Sequence, residues 1–364
     1  MPPPKTSFLP KLYLFLAVAI WGIATPIIKA TGTTVPPFTF LMLRFLVSGV
    51  ITIPLSIYVL RHYKIGIQRV KKIFVSSILG NVISLSLIFW GLSKTTSLEG
   101  SILTSFSPLL IAILGFFFLK EILNKKKIEG ILIAFIGTLI ILGTPILETS
   151  NVITTNKESF FGNILFFGGI LFDGLYVIYI KKYLSQDKII NSIILTILSF
   201  SIATIIFIPI GLLEQRNIYK AENYGNIRIC TFSDIDAGKY SAEYKCNFVG
   251  CFSEKNANQY ECIINDNIPS FVSSLRSNIE NYIKSTGIIG ISYMAIFSGI
   301  LAYIFFQKGL KNLKASESAI FYYLQPLFGI PISIAFLQEK VSLLFVIGSI
   351  IIILGIYLAE FRKN

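Results

Sequence analysis

A block of sequence near residue 100 is repeated, without a gap, 218 positions later in the same chain. Seven residues of the first copy, Gly91, Glu99, Pro108, Leu119, Glu121, Gly130 and Gly137, recur as Gly309, Glu317, Pro326, Leu337, Glu339, Gly348 and Gly355. Both copies are strongly apolar, and internal repeats of apolar helices are typical of secondary transporters. The duplication therefore predicts a membrane protein built from two related helical halves, with transport as the leading functional hypothesis.

The composition argues against a soluble protein. Of the 364 residues, 54% are hydrophobic and 14% are charged, and the mean hydropathy is +0.72. A soluble globular domain of this length is far less apolar. The net charge of +13 would suit a nucleic-acid-binding protein, but the basic residues form short clusters between apolar runs, as at 61–72 and 120–127. This pattern follows the positive-inside rule of membrane proteins and predicts no nucleic-acid partner.

Ten apolar runs are long enough to cross ~30 Å of hydrocarbon as helices. They lie at residues 11–31, 36–60, 73–93, 98–119, 128–145, 161–180, 188–213, 286–307, 317–337 and 341–359. The first run lacks a small-residue cleavage site, which favours a retained span over a removed signal peptide. The basic loops place both termini in the cytoplasm, so we expect a multi-pass protein of the cell or plasma membrane, with an organelle membrane as the alternative.

Five spans per copy is an odd number, so the second copy must cross the membrane in the opposite sense. The expected fold class is an all-α polytopic membrane protein of ten transmembrane helices in two inverted five-helix repeats. We assign residues 1–146 to the first repeat, and residues 160–213 together with 285–364 to the second. A weaker match with an offset of 152 aligns Trp21 with Asp173 and Lys29 with Lys181.

Residues 214–284 form a polar insert that the predicted orientation places outside the cytoplasm. It contains all four cysteines, Cys230, Cys246, Cys251 and Cys262. An even number of cysteines in one non-cytoplasmic segment indicates two disulfides, whose pairing the sequence leaves open. Zinc is the alternative, but the insert lacks a C-x-x-C pair and the single histidine, His62, lies on the other side of the membrane. We expect no metal and no cofactor.

The motifs of both copies resemble an EamA domain of the drug/metabolite transporter superfamily. In the first copy they are Pro108-Leu109-Leu110, Leu119-Lys120-Glu121, Gly130 and Gly137, and in the second they run from Pro326 to Gly355. Trp21-Gly22 with Pro26, and Arg44 within Leu-Arg-Phe, are also similar to that family. The resemblance covers both halves and leaves out the insert.

The resemblance implies a secondary transporter of small metabolites, often amino acids or related compounds, with export as the expected direction. The chloroquine-resistance-transporter branch also carries a cysteine-bearing loop between its seventh and eighth spans. A vacuolar carrier of that kind is therefore an alternative, as is a non-transporting membrane protein whose external loop binds a partner. Coupling to protons or to sodium stays open.

Asp173 is the one acidic residue well inside a predicted span. A charge there is unfavourable by ~2.5 to 3.5 kcal/mol on insertion scales, so the side chain should face an internal cavity. It could carry a coupling proton, attract a cationic group, or form a structural hydrogen bond to a backbone carbonyl. Arg44 is the candidate counter-charge for Asp173, and a structural arginine that extends towards the membrane surface is the alternative.

The other candidates for substrate binding or gating are polar, aromatic or proline residues of the spans. They are Trp21, Asn81, Ser84, Ser107, Pro108, Tyr176, Tyr303, Tyr322, Gln325 and Pro326. Pro108 and Pro326 lack the amide proton that would bond to the carbonyls of Thr104 and Tyr322, which predicts irregular helices there.

Three further features have ordinary structural interpretations. The glycines spaced by seven residues in each copy should permit close helix contacts, and Glu121 and Glu339 should have a structural role at the ends of their spans. The chain has no nucleotide-binding or HExxH motif and no cluster of a nucleophile with a base, so we predict that it is not an enzyme.

Overall fold

The computed structural model describes most of the chain. The described residues are 8–32, 35–63, 65–94, 103–104, 106–121, 125–148, 157–185, 187–224, 245–247, 250–252, 271–282, 287–325, 327–329, 331 and 343–360. The helices and strands are α1 (Phe8–Gly32), α2 (Pro37–His62), α3 (Ile67–Ser77), α4 (Leu85–Lys94), α5 (Ser107–Leu119), α6 (Lys125–Glu148), α7 (Lys157–Tyr183), α8 (Ser192–Tyr224), β1 (Lys245–Asn247), β2 (Gly250–Phe252), α9 (Phe271–Tyr282), α10 (Ile288–Ala295), α11 (Ala302–Asn312), α12 (Ala315–Ile320) and α13 (Leu343–Glu360).

Six helical stretches of the described residues are long and apolar enough to cross a membrane. They are Phe8–Ile28, Pro37–His62, Ile67–Lys94, Phe160–Tyr183, Ser192–Tyr219 and Ile288–Asn312. Shorter apolar helices cover Ser107–Leu119, Ile128–Gly137 and Val346–Leu358. Each stretch overlaps a predicted span, and the nearly all-helical architecture is as predicted, because a backbone in hydrocarbon must satisfy its own hydrogen bonds.

The helices pack as four main pairs. Helix α1 packs against α11, α7 against α4, α2 against α8, and α6 against α13. The largest buried cluster contains fully buried aromatic side chains such as Phe45, Phe200 and Phe306 from α2, α8 and α11. The core of the molecule therefore lies between the first and second halves of the chain.

The repeated glycines bring α6 and α13 into backbone contact. A Cβ atom added to Gly137 would lie 2.8 Å from the carbonyl oxygen of Gly348, and one added to Gly355 would lie 2.8 Å from the carbonyl oxygen of Gly130. Real Cβ atoms do not approach that closely, so only glycine fits at Gly137 and Gly355. The prediction of a close helix contact is confirmed. The two contacts are related by the repeat: Gly355 is the counterpart of Gly137, and Gly348 is the counterpart of Gly130, each 218 positions later.

A second pair of glycine contacts has the same reciprocal form. A Cβ atom added to Gly91 of α4 would lie 2.7 Å from the carbonyl oxygen of Gly162 in α7. A Cβ atom added to Gly309 of α11 would lie 2.9 Å from the carbonyl oxygen of Pro10 in α1. The first residues of the two contacts are 218 positions apart, and their partners are 152 positions apart, which is the offset of the weaker sequence match.

Irregular helix geometry occurs at corresponding places in the two halves. A π-helical segment, Ile78–Ser84, joins α3 to α4, and another, Ile296–Leu301, joins α10 to α11. The two segments begin 218 positions apart. Phe321–Leu324 is a 3₁₀ helix just before Pro326. A π-helix leaves the regular hydrogen-bonding pattern of the α-helix and frequently marks a functional site.

Pro108 lies at the start of a helix rather than in the middle of one. The predicted span began at residue 98, but α5 begins at Ser107 and has Pro108 in its first turn. The missing amide proton removes no helical bond there, because the first amides of a helix have no partner within it. Pro326 lies outside the described residues.

One boundary of the polar insert differs from the prediction. Helix α8 continues past residue 213 to Tyr224, so the predicted boundary at residue 214 falls within a helix. Strands β1 and β2 form an antiparallel pair in which Cys246 is opposite Cys251. Cys230 and Cys262 lie outside the described residues.

Candidate functional site

An aromatic cluster lies where the two halves meet, and Trp21 of α1 is at its centre. The centroid of the Trp21 ring lies 5.5 Å from that of Tyr303, 5.4 Å from that of Phe306 and 5.7 Å from that of Tyr322. The indole Nε1–H donates a hydrogen bond of 2.9 Å to the carbonyl oxygen of Ser298, within the second π-helical segment. The first span of the chain is thereby joined to irregular backbone of the second half.

Asp173 lies beside this cluster, 16 residues into the 27-residue helix α7. Its carboxyl group interacts electrostatically with Tyr176, Tyr303 and Tyr322. Within the described parts of the chain Asp173 makes no hydrogen bond and no ion pair, so the carbonyl-bonded arrangement considered from the sequence is not formed there. The side chain is half-buried although it lies at mid-helix. It therefore faces the interior of the bundle rather than lipid.

Tyr176, one turn after Asp173, extends the site towards α8. Gln307 of α11 donates a hydrogen bond of 3.3 Å to the Tyr176 hydroxyl, and Thr196 of α8 donates one of 3.3 Å to the Gln307 side-chain oxygen. Gln307 and Thr196 were not among the candidates predicted from the sequence. Gln307 is a polar residue at the end of an apolar run, and that signal could have found it.

Asn81 and Ser84, two candidates from the sequence, lie in the first π-helical segment. Asn81 is fully buried and Ser84 is 1% exposed. Neither Nδ2 nor Oδ1 of Asn81, nor Oγ of Ser84, has a hydrogen-bond partner among the residues that the structure describes. Buried polar groups are almost always paired, so these three atoms are available to a water molecule or a ligand.

Arg44 does not pair with Asp173. It is 2% exposed, so its side chain does not extend to the membrane surface either. Its guanidinium carbon lies 5.4 Å from the centroid of the Phe45 ring, and its charge interacts electrostatically with Tyr303. Tyr303 therefore interacts electrostatically with both charged residues, Arg44 and Asp173.

The remaining candidates lie at the edge of this site. Ser107 and Pro108 are buried at the start of α5, which packs against α7 at Gly174, next to Asp173. The backbone carbonyl of Gln325 lies against Gly22, next to Trp21. The structure thus brings together Trp21, Asp173, Tyr176, Tyr303 and Tyr322, and Arg44 interacts electrostatically with the same Tyr303.

Polar contacts connect helices at both ends of the bundle. At one end Oε1 of Glu121 accepts a hydrogen bond of 2.7 Å from the Ala315 amide, and Lys181 donates one of 2.8 Å to the Leu310 carbonyl. At the other end Glu214 of α8 accepts a hydrogen bond of 2.7 Å from the Thr39 hydroxyl at the start of α2. Both carboxylates lie at a helix N-terminus, where a negative charge is stabilised.

A half-buried acid, an aromatic wall, and a guanidinium that pairs with no carboxylate among the described residues suit the binding of a small molecule. Among the described residues no group of three His, Cys, Asp or Glu side chains could hold a metal ion. The site likewise contains no nucleophile paired with a base in any described hydrogen bond. The described groups offer charge, hydrogen bonding and aromatic contact for binding.

Comparison with known proteins agrees with this chemistry. The sequence model of the EamA-like transporter family matches residues 9–143 and 262–361. The chain belongs to the EamA-like transporter family. The two matched ranges leave out most of the polar insert. Membership of this family, together with the six long apolar helices, makes the protein a multi-pass membrane protein and points to a transporter rather than an enzyme.

Relatives of this EamA-like chain carry transporter names. An uncharacterized transporter of Archaeoglobus fulgidus is 22% identical over 97% of this chain and 98% of its own length. The uncharacterized transporter YyaM of Bacillus subtilis is 22% identical over 80% of this chain and 75% of its own. The S-adenosylmethionine/S-adenosylhomocysteine transporter of Chlamydia muridarum is 23% identical over 35% of this chain and 41% of its own.

A solved crystal structure shares the fold of this family member. It superimposes with a TM-score of 0.62 over 96% of this chain and 96% of the other, at 16% sequence identity. At that identity the likeness concerns the fold alone. The helical arrangement described above is therefore one that also occurs in an experimentally determined protein.

Proposed function

We propose that the protein is a secondary transporter that moves small metabolites across a membrane by alternating access. The observation that carries this proposal is the position of Asp173, a half-buried acid at mid-helix that interacts with Tyr176, Tyr303 and Tyr322 of the second half, beside Trp21 of the first half. Ionisable residues within membrane spans are rare and mark substrate or ion pathways. The π-helical segments, which contact Tyr176 at Gly80 and Trp21 at Ser298, support a binding site at the interface of the two halves.

We further propose ten spans arranged as two inverted five-helix repeats. The reciprocal contacts support this arrangement: Gly137 with Gly348 and Gly355 with Gly130 exchange roles, as do Gly91 with Gly162 and Gly309 with Pro10. A pseudo-two-fold axis would produce such exchanged contacts. The pair of π-helical segments that begin 218 positions apart supports the same symmetry.

The orientation follows from the basic loops. We propose that both termini are cytoplasmic, that the protein resides in the cell or plasma membrane, and that the insert is extracytoplasmic and contains two disulfides. The register of β1 and β2, in which Cys246 is opposite Cys251, supports pairing those two residues and leaves Cys230 to pair with Cys262.

We propose small metabolites as the substrate class, and specifically amino acids or related compounds. We further propose that a proton or sodium gradient drives their export. Asp173 supports a role for protons or for a cationic group, since it has no counter-charge among the described residues. The S-adenosylmethionine/S-adenosylhomocysteine transporter of Chlamydia muridarum, a partial relative, indicates that amino-acid-derived metabolites are suitable first candidates.

The proposal is tested by comparing small metabolites of cells with and without the protein, and then measuring flux of each differing compound in proteoliposomes. Imposed proton and sodium gradients identify the coupling ion. A carrier accumulates at least one compound against its gradient, and protein-free liposomes do not. Proteoliposomes that move none of the differing compounds under either gradient would refute transport and leave a binding role for the external insert.

A further inference from the structure

Arg44 carries a full positive charge inside the helix bundle, where the Phe45 ring lies near it and no described carboxylate pairs with it. It is 2% exposed, and its Nε is buried and has no hydrogen-bond partner. Its guanidinium forms no hydrogen bond and no ion pair with any described residue. A guanidinium has five N–H donors in a fixed planar fork, so several strong donors are left unused.

The burial of such a charged group is energetically unfavourable. A charged side chain inside a membrane span is unfavourable, and a buried charge usually has a partner. Arg44 is the eighth residue of α2, about 10 Å from the start of that helix. Its burial rules out a side chain that extends to the surface, and its lack of an ion pair rules out a counter-charge to Asp173.

The surroundings of Arg44 connect it to the site. The Phe45 ring centroid lies 5.3 Å from that of Phe200, which lies 5.2 Å from that of Tyr303. Tyr303 interacts electrostatically with Arg44 and also with Asp173. Two opposite and unpaired charges thus lie near the same tyrosine without touching each other.

We propose that Arg44 binds a carboxylate of the transported molecule, and that the molecule is a small zwitterion whose amino group faces Asp173. This inference rests on the proposed transport function and assigns the two ends of its substrate. A zwitterion neutralises both buried charges at once, whereas a simple anion leaves Asp173 unpaired and a simple cation leaves Arg44 unpaired. The planar guanidinium suits a carboxylate because it can donate two parallel hydrogen bonds.

The first test needs no substrate. Arg44→Met removes the charge and keeps the length of the side chain, and Arg61→Met, at the exposed end of the same helix, is the matched control. Since Arg44 forms no hydrogen bond or ion pair with any described residue, we expect purified Arg44→Met to melt at or above the temperature of the wild type. A structural arginine with a hidden partner would instead lower the melting temperature clearly below that of Arg61→Met, and that result would overturn the proposal.

The second test uses matched ligands. The twenty common amino acids are screened for thermal stabilisation of the purified protein, and each hit is compared with its amide, which lacks the carboxylate, and with its deaminated acid. We expect the intact amino acid to bind at least roughly tenfold more tightly than either, because each loses a charge-assisted contact. Arg44→Met should bind the amino acid and the amide alike, and Arg44→Lys should recover part of the difference.

The outcomes separate this inference from transport itself. If wild-type proteoliposomes carry a metabolite and Arg44→Met carries it at the same rate, the carboxylate site is wrong and the transport function stands. Equal stabilisation by amino acids and their amides, or no stabilisation by any of the twenty, also contradicts the site. If the wild type carries nothing, the transport function fails and this inference fails with it.

Discussion

Glu121 at the end of the first-half helix α5 accepts a hydrogen bond of 2.7 Å from the hydroxyl of Ser316 at the start of the second-half helix α12. The same carboxylate accepts bonds from the amides of Ala315 and Ser316. Lys120, with a left-handed backbone (φ 53°), turns the chain so that Glu121 can reach them. One side chain therefore stabilises the start of a helix almost two hundred residues away.

Replacing Glu121 with Gln should destabilise the protein. The glutamine side chain keeps the shape but loses the negative charge, so its hydrogen bonds from Ala315 and Ser316 become weaker. Its NH2 group also replaces one accepting oxygen and faces a donor. A hydrogen bond to a charged group contributes about 1.5 to 3 kcal/mol, and we expect a loss of that order in the free energy of unfolding. Thermal melting in detergent measures it. Glu129→Gln, at an exposed position, is the control, and equal melting temperatures would contradict the structural role.

The contact between α6 and α13 should not tolerate a methyl group. Gly137→Ala would place Cβ 2.8 Å from the Gly348 carbonyl oxygen, so the helices must move apart, which typically costs about 1 to 3 kcal/mol. The reciprocal variant Gly355→Ala should lose a similar amount. Gly168→Ala, where Cβ would meet its nearest atom at an ordinary 3.7 Å, is the control. Destabilisation of only one of the two variants would argue against the reciprocal arrangement.

The loop carboxylate Asp187 should make stability depend on pH. Partial burial raises the pKa of Asp187, but hydrogen bonds from the amides of Ile190 and Ile189 and from Arg69 outweigh burial and hold this pKa below its ordinary value. The contribution of a depressed carboxyl pKa is complete above the unfolded value of about 3.9 and is lost as the pH falls through the folded value. The melting-temperature difference between wild type and Asp187→Asn should therefore shrink on acidification below about pH 4. A difference that is constant across this range would contradict the assignment.

The cysteines of the insert should be oxidised in the protein isolated from its membrane. Mass mapping of unreduced peptides should find Cys246 linked to Cys251, the residues that are opposite each other in β1 and β2. A closed loop of this kind stabilises mainly by restricting the unfolded segment, so reduction should leave the helical bundle assembled. Four free thiols, or bound zinc, would be evidence against this pairing and against disulfides in general.

The sequence predicts the features of this fold that depend on local pattern. The apolar runs predict the helices, and the seven-residue glycine spacing predicts a close helix contact without naming the pair Gly137 and Gly348. The isolated acid Asp173 predicts an internal site because of its charge. These signals work because lipid imposes one solution on the backbone and penalises stray charges.

Features that depend on the three-dimensional arrangement were not predictable in the same way. The π-helical segments at Ile78–Ser84 and Ile296–Leu301 have no composition that separates them from the α-helices around them. The pairing of Arg44 with Asp173 was a reasonable expectation from charge alone, but it depends on helix positions that single-sequence patterns do not fix. The link between Gln307 and Thr196 joins two helices and could not be read from either run.

Gradient-driven flux through Asp173→Asn in proteoliposomes, measured beside the wild type and Asp187→Asn, shows whether Asp173 drives transport. The asparagine keeps the shape of the aspartate and loses its charge, so we expect normal insertion and melting but no uphill transport, while Asp187→Asn transports normally. If a proton moves with the substrate, the pH dependence of wild-type flux should also disappear in Asp173→Asn. Wild-type flux with an unchanged pH profile in Asp173→Asn would contradict the account.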